Sequence, residues 1–364
     1  MKTTLLHEVH RKLGATFGER HEGWNLAVQF TGPVSEHEAV RNGVGIADIS
    51  YYGTLSLTGE DRAKFLHRLI SNDVENLADG EGNYATLLTN RGKIIADLRV
   101  YICGDAIYIS TAPECTEDVF AELDKYIIAD DVELTVDTDN FGAIAVYGPK
   151  STELVQSVLN AEDLGGLSEY HSRSYLFDGY WGVCVGSNTV GECGYHLYIS
   201  TDKLETLWKR LMAERPDVVP IGWDALESLR IEAGTPRYGT ELTDSVIPLE
   251  AELEHAIDFE KGCYIGQEIV ARMKYRGHPN RLLRGIEIDA ENPVQQNSKI
   301  FNGEKEVGWV TSSAYSPLLK KPIALGYVRM AFTEHGSRIQ IETADGRVNG
   351  TVVGLPFLSH EARI

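Results

Sequence analysis

Ile107-Tyr108-Ile109-Ser110-Thr111 and Leu197-Tyr198-Ile199-Ser200-Thr201 are the two stretches on which the fold turns. Each alternates side chains with the period of a strand and closes on Ser-Thr. A helical pattern follows each one: Val119, Phe120, Leu123, Tyr126 and Ile127 after the first, then Leu204, Leu207, Trp208 and Leu211 after the second. Thr111 with Glu114 reads as a capping box for the first helix. Two such units, about ninety residues apart, predict two similar α/β subdomains of split β-α-β kind.

Upstream, Leu5, Leu6, Val9 and Leu13 predict a short amphipathic helix, and Phe65, Leu66, Leu69 and Ile70 predict another over 59–70. Downstream of Arg281 the helical signal stops. Leu282–Ile288, Lys299–Phe301, Glu306–Thr311, Ile323–Tyr327, Arg338–Glu342 and Thr351–Gly354 read as short strands, punctuated by the hairpin turns Asn302-Gly303 and Asp345-Gly346. They predict a small β-barrel or sandwich. The boundary falls in Gly277-His-Pro-Asn280, giving an α/β region over 1–278 and a β domain over 279–364.

The chain has 364 residues, 43% of them apolar, with 54 acidic against 34 basic side chains and a net charge of −20. That balance disfavours nonspecific nucleic-acid or anionic-membrane binding. Cys103, Cys115, Cys184, Cys193 and Cys263 contain no C-x-x-C pair, so neither a disulfide framework nor a metal site is expected. The opening residues lack an apolar signal-peptide core and no run could span a bilayer, so the expected setting is cytoplasmic. A P-loop, G-x-G-x-x-G, H-E-x-x-H and G-x-S-x-G are all missing.

Three segments could carry chemistry. Lys261 to Arg284 holds six Lys/Arg against one acid, and Cys263 lies beside Lys261, whose charge would favour the thiolate. Gly262 and Gly266 would allow a close backbone approach. The bland alternative is a helix N-terminus with a solvated basic face and a packed thiol. On Ile94–Ile102 the face Ile94, Ala96, Leu98, Val100 and Ile102 is wholly apolar, and the other carries Ile95, Asp97, Arg99 and Tyr101. Asp97 is either half of an exposed Asp97–Arg99 pair or a carboxylate set against a ligand amine. Finally, Arg230 lies among the apolar positions of a helix ended by Gly234. It either snorkels or pairs with a buried acceptor such as Glu192 or a ligand; a carboxylate and a guanidinium together suit an aminopyrimidine-like ring.

These segments together resemble the folate-binding superfamily of the glycine-cleavage T-protein (aminomethyltransferase) and its YgfZ-type relatives. The likeness runs through Leu13–Phe17, Gly45–Ser50, Tyr84–Asn90, Ala96–Leu98, Gly191-Glu192 and Ser228–Gly234. It implies an α+β clover-leaf of three domains, two α/β folate-binding subdomains and a C-terminal β-barrel, around tetrahydrofolate. By that likeness Asp97 matches the catalytic aspartate, Tyr84 lies near the pterin, and Glu192 and Arg230 hold it. Lys261, Gly262, Cys263, Tyr264, Gly266, Gln267, Glu268 and Arg272 form instead the Lys-Gly-Cys-Tyr-x-Gly-Gln-Glu signature of the YgfZ group. Its members support iron–sulfur proteins through the motif cysteine. The first expectation is therefore a tetrahydrofolate-binding protein of iron–sulfur cluster assembly or maintenance, with Cys263 reactive and iron–sulfur proteins or their assembly factors as partners. The alternative is a tetrahydrofolate-dependent aminomethyltransferase, methyltransferase or demethylase working through Asp97.

Overall fold

The computed structural model describes residues 1–21 and 23–357, so the last seven positions of the expected 279–364 domain lie outside the described residues. Both repeats fold as strand then helix: Ala106–Thr111 precedes Thr116–Asp124, and Gly194–Ser200 runs into Thr201–Glu214. The duplication extends well beyond the matching pentapeptides. The first unit runs through strand Gly53–Thr58, helix Arg62–His67, strands Gly82–Leu88, Ile94–Cys103 and Ala106–Thr111, helix Thr116–Asp124 and strand Glu133–Val136. The second repeats that order with Phe141–Tyr147, Ser151–Leu159, Ser172–Phe177, Tyr180–Ser187, Gly194–Ser200, Thr201–Glu214 and Val218–Pro220. In both sheets the three-strand meander lies beside the strand that opens its unit; in the second sheet Val44–Asp48 is inserted next to that strand.

Strand alternation decides what each sheet buries. Ile107, Ile109, Leu197 and Ile199 are at most 1% exposed and pack under the helices of their own units. The intervening Ser110, His196 and Tyr198 point the other way and line a shared central cavity. Two amphipathic sheets thus turn their polar strand positions toward each other.

Two local expectations need correction. The helix expected over 59–70 is confined to Arg62–His67. The Thr111–Glu114 capping box is not formed: Cys115 is the N-cap and supplies no side-chain cap. The Thr111 hydroxyl lies 3.0 Å from that of Thr116, and Glu114 is taken by the His21 ring.

The six C-terminal runs fall in strands of a closed six-stranded barrel, apart from Gly354, one residue past the last strand; the order is Arg281–Ile288, Lys321–Arg329, Lys305–Ser316, Lys299–Asn302, Arg338–Thr343 and Gly346–Val353. Its interior is aliphatic, with Ile286, Ile300, Val310 and Ile341 fully buried. Another cluster, including Ile231, Leu249, Leu325 and Tyr327, joins the barrel to the α/β region. Helix Trp223–Ala233 ends as expected at Gly234, whose φ of +72° is left-handed and whose absent Cβ leaves room for Leu355.

Candidate active site

Strand Ile94–Cys103 supplies the centre of the site. Its apolar face, Ile94 to Ile102, is buried as the alternation predicts. On the opposite face Asp97 and Tyr101 are buried and Ile95 and Arg99 half-buried, contrary to the exposed-pair reading: Asp97 is 2% exposed. The Tyr84 phenol donates to Asp97 Oδ2 over 3.1 Å, whereas Asp97 Oδ1 is buried with no hydrogen-bond partner among the described residues. Burial first, and the neighbouring carboxylate second, push the Tyr84 phenol well up, so it remains a donor. Arg99, on the same strand face, brings its guanidinium to 3.6 Å from Asp97 Oδ2.

Tyr84 and Arg99 line a cavity of about 270 Å³ together with Tyr170, His255, Asn188, Gly191 and Thr235. The Tyr84 ring stacks with Tyr170 at a centroid distance of 5.9 Å and with His255 at 5.6 Å, within 11° and 14° of parallel. Asn72 fixes this corner by donating to the carbonyls of Tyr84 and His255. Arg99 and Thr189 also line a smaller cavity of about 60 Å³ between the sheets, walled by Tyr52, His196, Tyr198 and Trp223. His196 is kept neutral there; burial, and secondarily Arg99, lower its pKa to about 3. A cation and stacked rings line the cavities, and the Asp97 carboxylate lies directly behind Tyr84 and Arg99 without itself lining either; such a set can hold a flat heterocycle that carries N–H donors.

Glu192 and Arg230 do not form the expected couple. Glu192 accepts from Arg41 Nη1 over 2.8 Å, and Arg41 Nη2 donates to the buried Glu232. Arg230 borders the smaller cavity, yet its donors are used internally. They reach Glu227 through Nε and Nη2, the Thr235 carbonyl and Glu241 through Nη1, and the barrel's Ser312 hydroxyl through Nη2. Burial, the largest single influence, opposes the charge of Glu227, but Arg230 and Arg237 together outweigh it and hold the carboxyl at about 2. Arg230 pins the α/β region to the barrel because Ser312 also donates to Glu241.

The Lys261–Arg272 segment also departs from expectation. Lys261 Nζ donates to the carbonyls of His67, Ile70 and Asn72, capping the loop after helix Arg62–His67 rather than serving the Cys263 thiol. Gly266 has a φ of +83°, and a Cβ there would meet the Thr89 carbonyl at 2.7 Å; Gly262 faces open space, so only one of the two glycines marks a close approach. Tyr264 is buried, Gln267 donates to the Gly262 carbonyl, and Cys263, Glu268 and Arg272 are exposed. Half of the basic island is paired with acids, Lys274 with Glu254, Arg281 with Glu250 and Arg284 with Glu252. Arg99, Tyr170 and His255 were missed as site residues. Arg99's position on the Asp97 face was visible; Tyr170, in a turn, and His255, in the short 3-10 helix Glu254–Ala256, are delivered only by the fold.

Residues 6–261 match the GCVT N-terminal domain and residues 281–358 the glycine cleavage T-protein C-terminal barrel domain. A curated aminomethyltransferase of Halothermothrix orenii is 31% identical over 98% of this chain and 100% of its own length. Another, of Chloroherpeton thalassium, is 33% identical over 98% and 99%. The crystal structure of glycine cleavage system aminomethyltransferase T from Bartonella henselae superposes with a TM-score of 0.91 at 25% identity, covering 98% of both chains. These matches support the T-protein side of the resemblance and give no support to the YgfZ-type grouping. The chain belongs to the glycine cleavage T-protein family.

Proposed function

We propose that this chain is a tetrahydrofolate-dependent one-carbon transferase of the aminomethyltransferase kind, with Asp97 as its catalytic carboxylate. One observation carries the reading: Asp97 is buried, anchored on one oxygen by Tyr84 and unpartnered on the other. Leaving a buried acceptor unmade is costly unless a ligand donor completes it. A reduced pterin fits that requirement, having ring N–H and amino donors and a flat face suited to the Tyr84, Tyr170 and His255 stack.

Tetrahydrofolate, the family's cofactor, supplies when bound a ring nitrogen that takes up the carbon unit. Asp97 provides fixed negative charge beside the amine where positive charge gathers, and its buried setting strengthens that effect. Tyr84 orients the carboxylate, and the surrounding rings keep water out. Glu192 and Arg230 act on this reading through the frame, by holding Arg41 and the barrel. The division into 1–278 and 279–364 and a cytoplasmic setting belong to the same proposal. Among the described residues no helix is long and apolar enough to cross a membrane.

The test pairs calorimetric titration of tetrahydrofolate with a transfer assay on aminomethyl and N-methyl donors. Asp97→Asn is expected to bind tetrahydrofolate and lose transfer by about 100-fold or more. No binding to the wild-type chain, or undiminished transfer by the variant, overturns the reading.

A second reading, iron–sulfur cluster assembly or maintenance, is favoured by Cys263, which stands exposed just ahead of helix Gln267–Arg276. The aminomethyltransferase relatives support the transferase better. Iron–sulfur enzyme activity restored in a deletion strain by the wild type and not by Cys263→Ser would reverse that preference.

A further inference from the structure

Arg99 is mostly buried without being satisfied. Its side chain is 12% exposed and lies against the rings of Tyr52, at 5.6 Å, and Tyr84, at 5.8 Å. It lines both central cavities. Its only charge partner among the described residues, Asp97 Oδ2, stands 3.6 Å away, beyond hydrogen-bond reach, and no described residue accepts a hydrogen bond from the guanidinium. Five donors held between aromatic faces in a buried cleft call for an acceptor, and a carboxylate matches their planar fork. Of the acids bordering the two cavities, Glu227 is already committed to Arg230 and Arg237. Glu169, on the wall of the larger cavity, forms no ion pair with Arg99.

Position selects the ligand that carries this carboxylate. If Asp97 stands at the reacting nitrogen, as the transferase reading on which this inference rests requires, an anion on Arg99 lies within a few ångströms of the migrating carbon. The glutamate tail of a folate lies beyond its benzoyl spacer, far from that nitrogen. We propose that Arg99 binds the carboxylate of the one-carbon donor, so that the donor is a small amino-acid-like compound with an N-linked carbon unit and not a neutral or purely cationic amine.

The experiment compares N-methylglycine with N-methylethylamine, which keeps the amine and replaces the carboxylate by a methyl group. Binding of each to the full chain loaded with tetrahydrofolate is measured by calorimetry. The wild type is expected to prefer N-methylglycine by about tenfold or more, the loss of a charge-assisted pair being of that size. Arg99→Gln is expected to erase the preference and Arg99→Lys to restore part of it. In the wild type, acetate is expected to compete with N-methylglycine, a readout that needs no variant to fold. Equal preference in wild type and Arg99→Gln overturns the proposal. So does an Arg99→Gln variant that loses affinity for tetrahydrofolate but not for a tail-less reduced pterin, since Arg99 would then hold the folate's own glutamate. Absence of tetrahydrofolate binding to the wild type is a separate result that removes the transferase reading itself.

Discussion

Two arginine–carboxylate groups are buried in this molecule, and they are built on opposite plans. Around Arg230, Glu227, Glu241, the Thr235 carbonyl and Ser312 take up the guanidinium donors, and Glu241 additionally accepts from the Arg237 backbone and the Thr240 hydroxyl. Around Asp97 and Arg99 the ions are 3.6 Å apart, one carboxylate oxygen has no partner, and the guanidinium makes no hydrogen bond to described residues. A saturated network is a fastener, because each charge is compensated before any ligand arrives. An unsaturated one retains binding capacity, and the fold tolerates its cost at the place where a ligand can repay it.

The sharpest way to break this contrast is Arg230→Met. It removes the ion-pair partner of the buried Glu241 and leaves Glu227 with Arg237 alone, and should lower unfolding free energy in a urea titration by about 3–5 kcal/mol. A variant that keeps its stability but loses folate affinity would move Arg230 into the binding site and erase the distinction. Asp97→Asn should do the reverse, removing transfer while costing less stability than Arg230→Met, because Asp97 accepts a single protein hydrogen bond.

His196 sharpens the electrostatic side. Its folded pKa of about 3 is below the ordinary value near 6.5, so the unfolded chain binds more protons between those limits. Its contribution is fully present above pH 6.5 and is lost as pH falls toward 3, at up to about 1.4 kcal/mol per pH unit. His196→Gln should flatten the pH dependence of stability in that window, read from urea midpoints at pH 7 and pH 5 against the wild type. An unchanged slope would show that His196 is already protonated beside Arg99. The smallest effect is expected from Cys263→Ser: the thiol is exposed, so stability should stay within about 0.5 kcal/mol and transfer should be unchanged. Lost transfer would shift the chemistry to the Lys261–Arg272 segment.

Much of the architecture was legible in the residues. Ile107–Thr111 and Leu197–Thr201 announced a duplication because a two-residue apolar period is a local property, set by which strand face meets a helix. The six barrel strands were equally readable from Asn-Gly and Asp-Gly turns, whose chemistry is local as well. Asp97 stood out as an acid in a strand. Charge partners were less legible. Lys261 looked like the neighbour of Cys263 and turned to three carbonyls near residue 70; Arg230 looked ready for Glu192 or a ligand and met Glu227, Glu241 and the barrel.

The sequence by itself therefore determined the repeated α/β units, the barrel, and the strand that presents Asp97 and Arg99, because backbone periodicity and turn chemistry act over a few residues. Only the tertiary structure decided which buried charges are satisfied. Long side chains reach partners from distant segments, and whether an acceptor stands within 3 Å of a given donor depends on how sheets and barrel pack together.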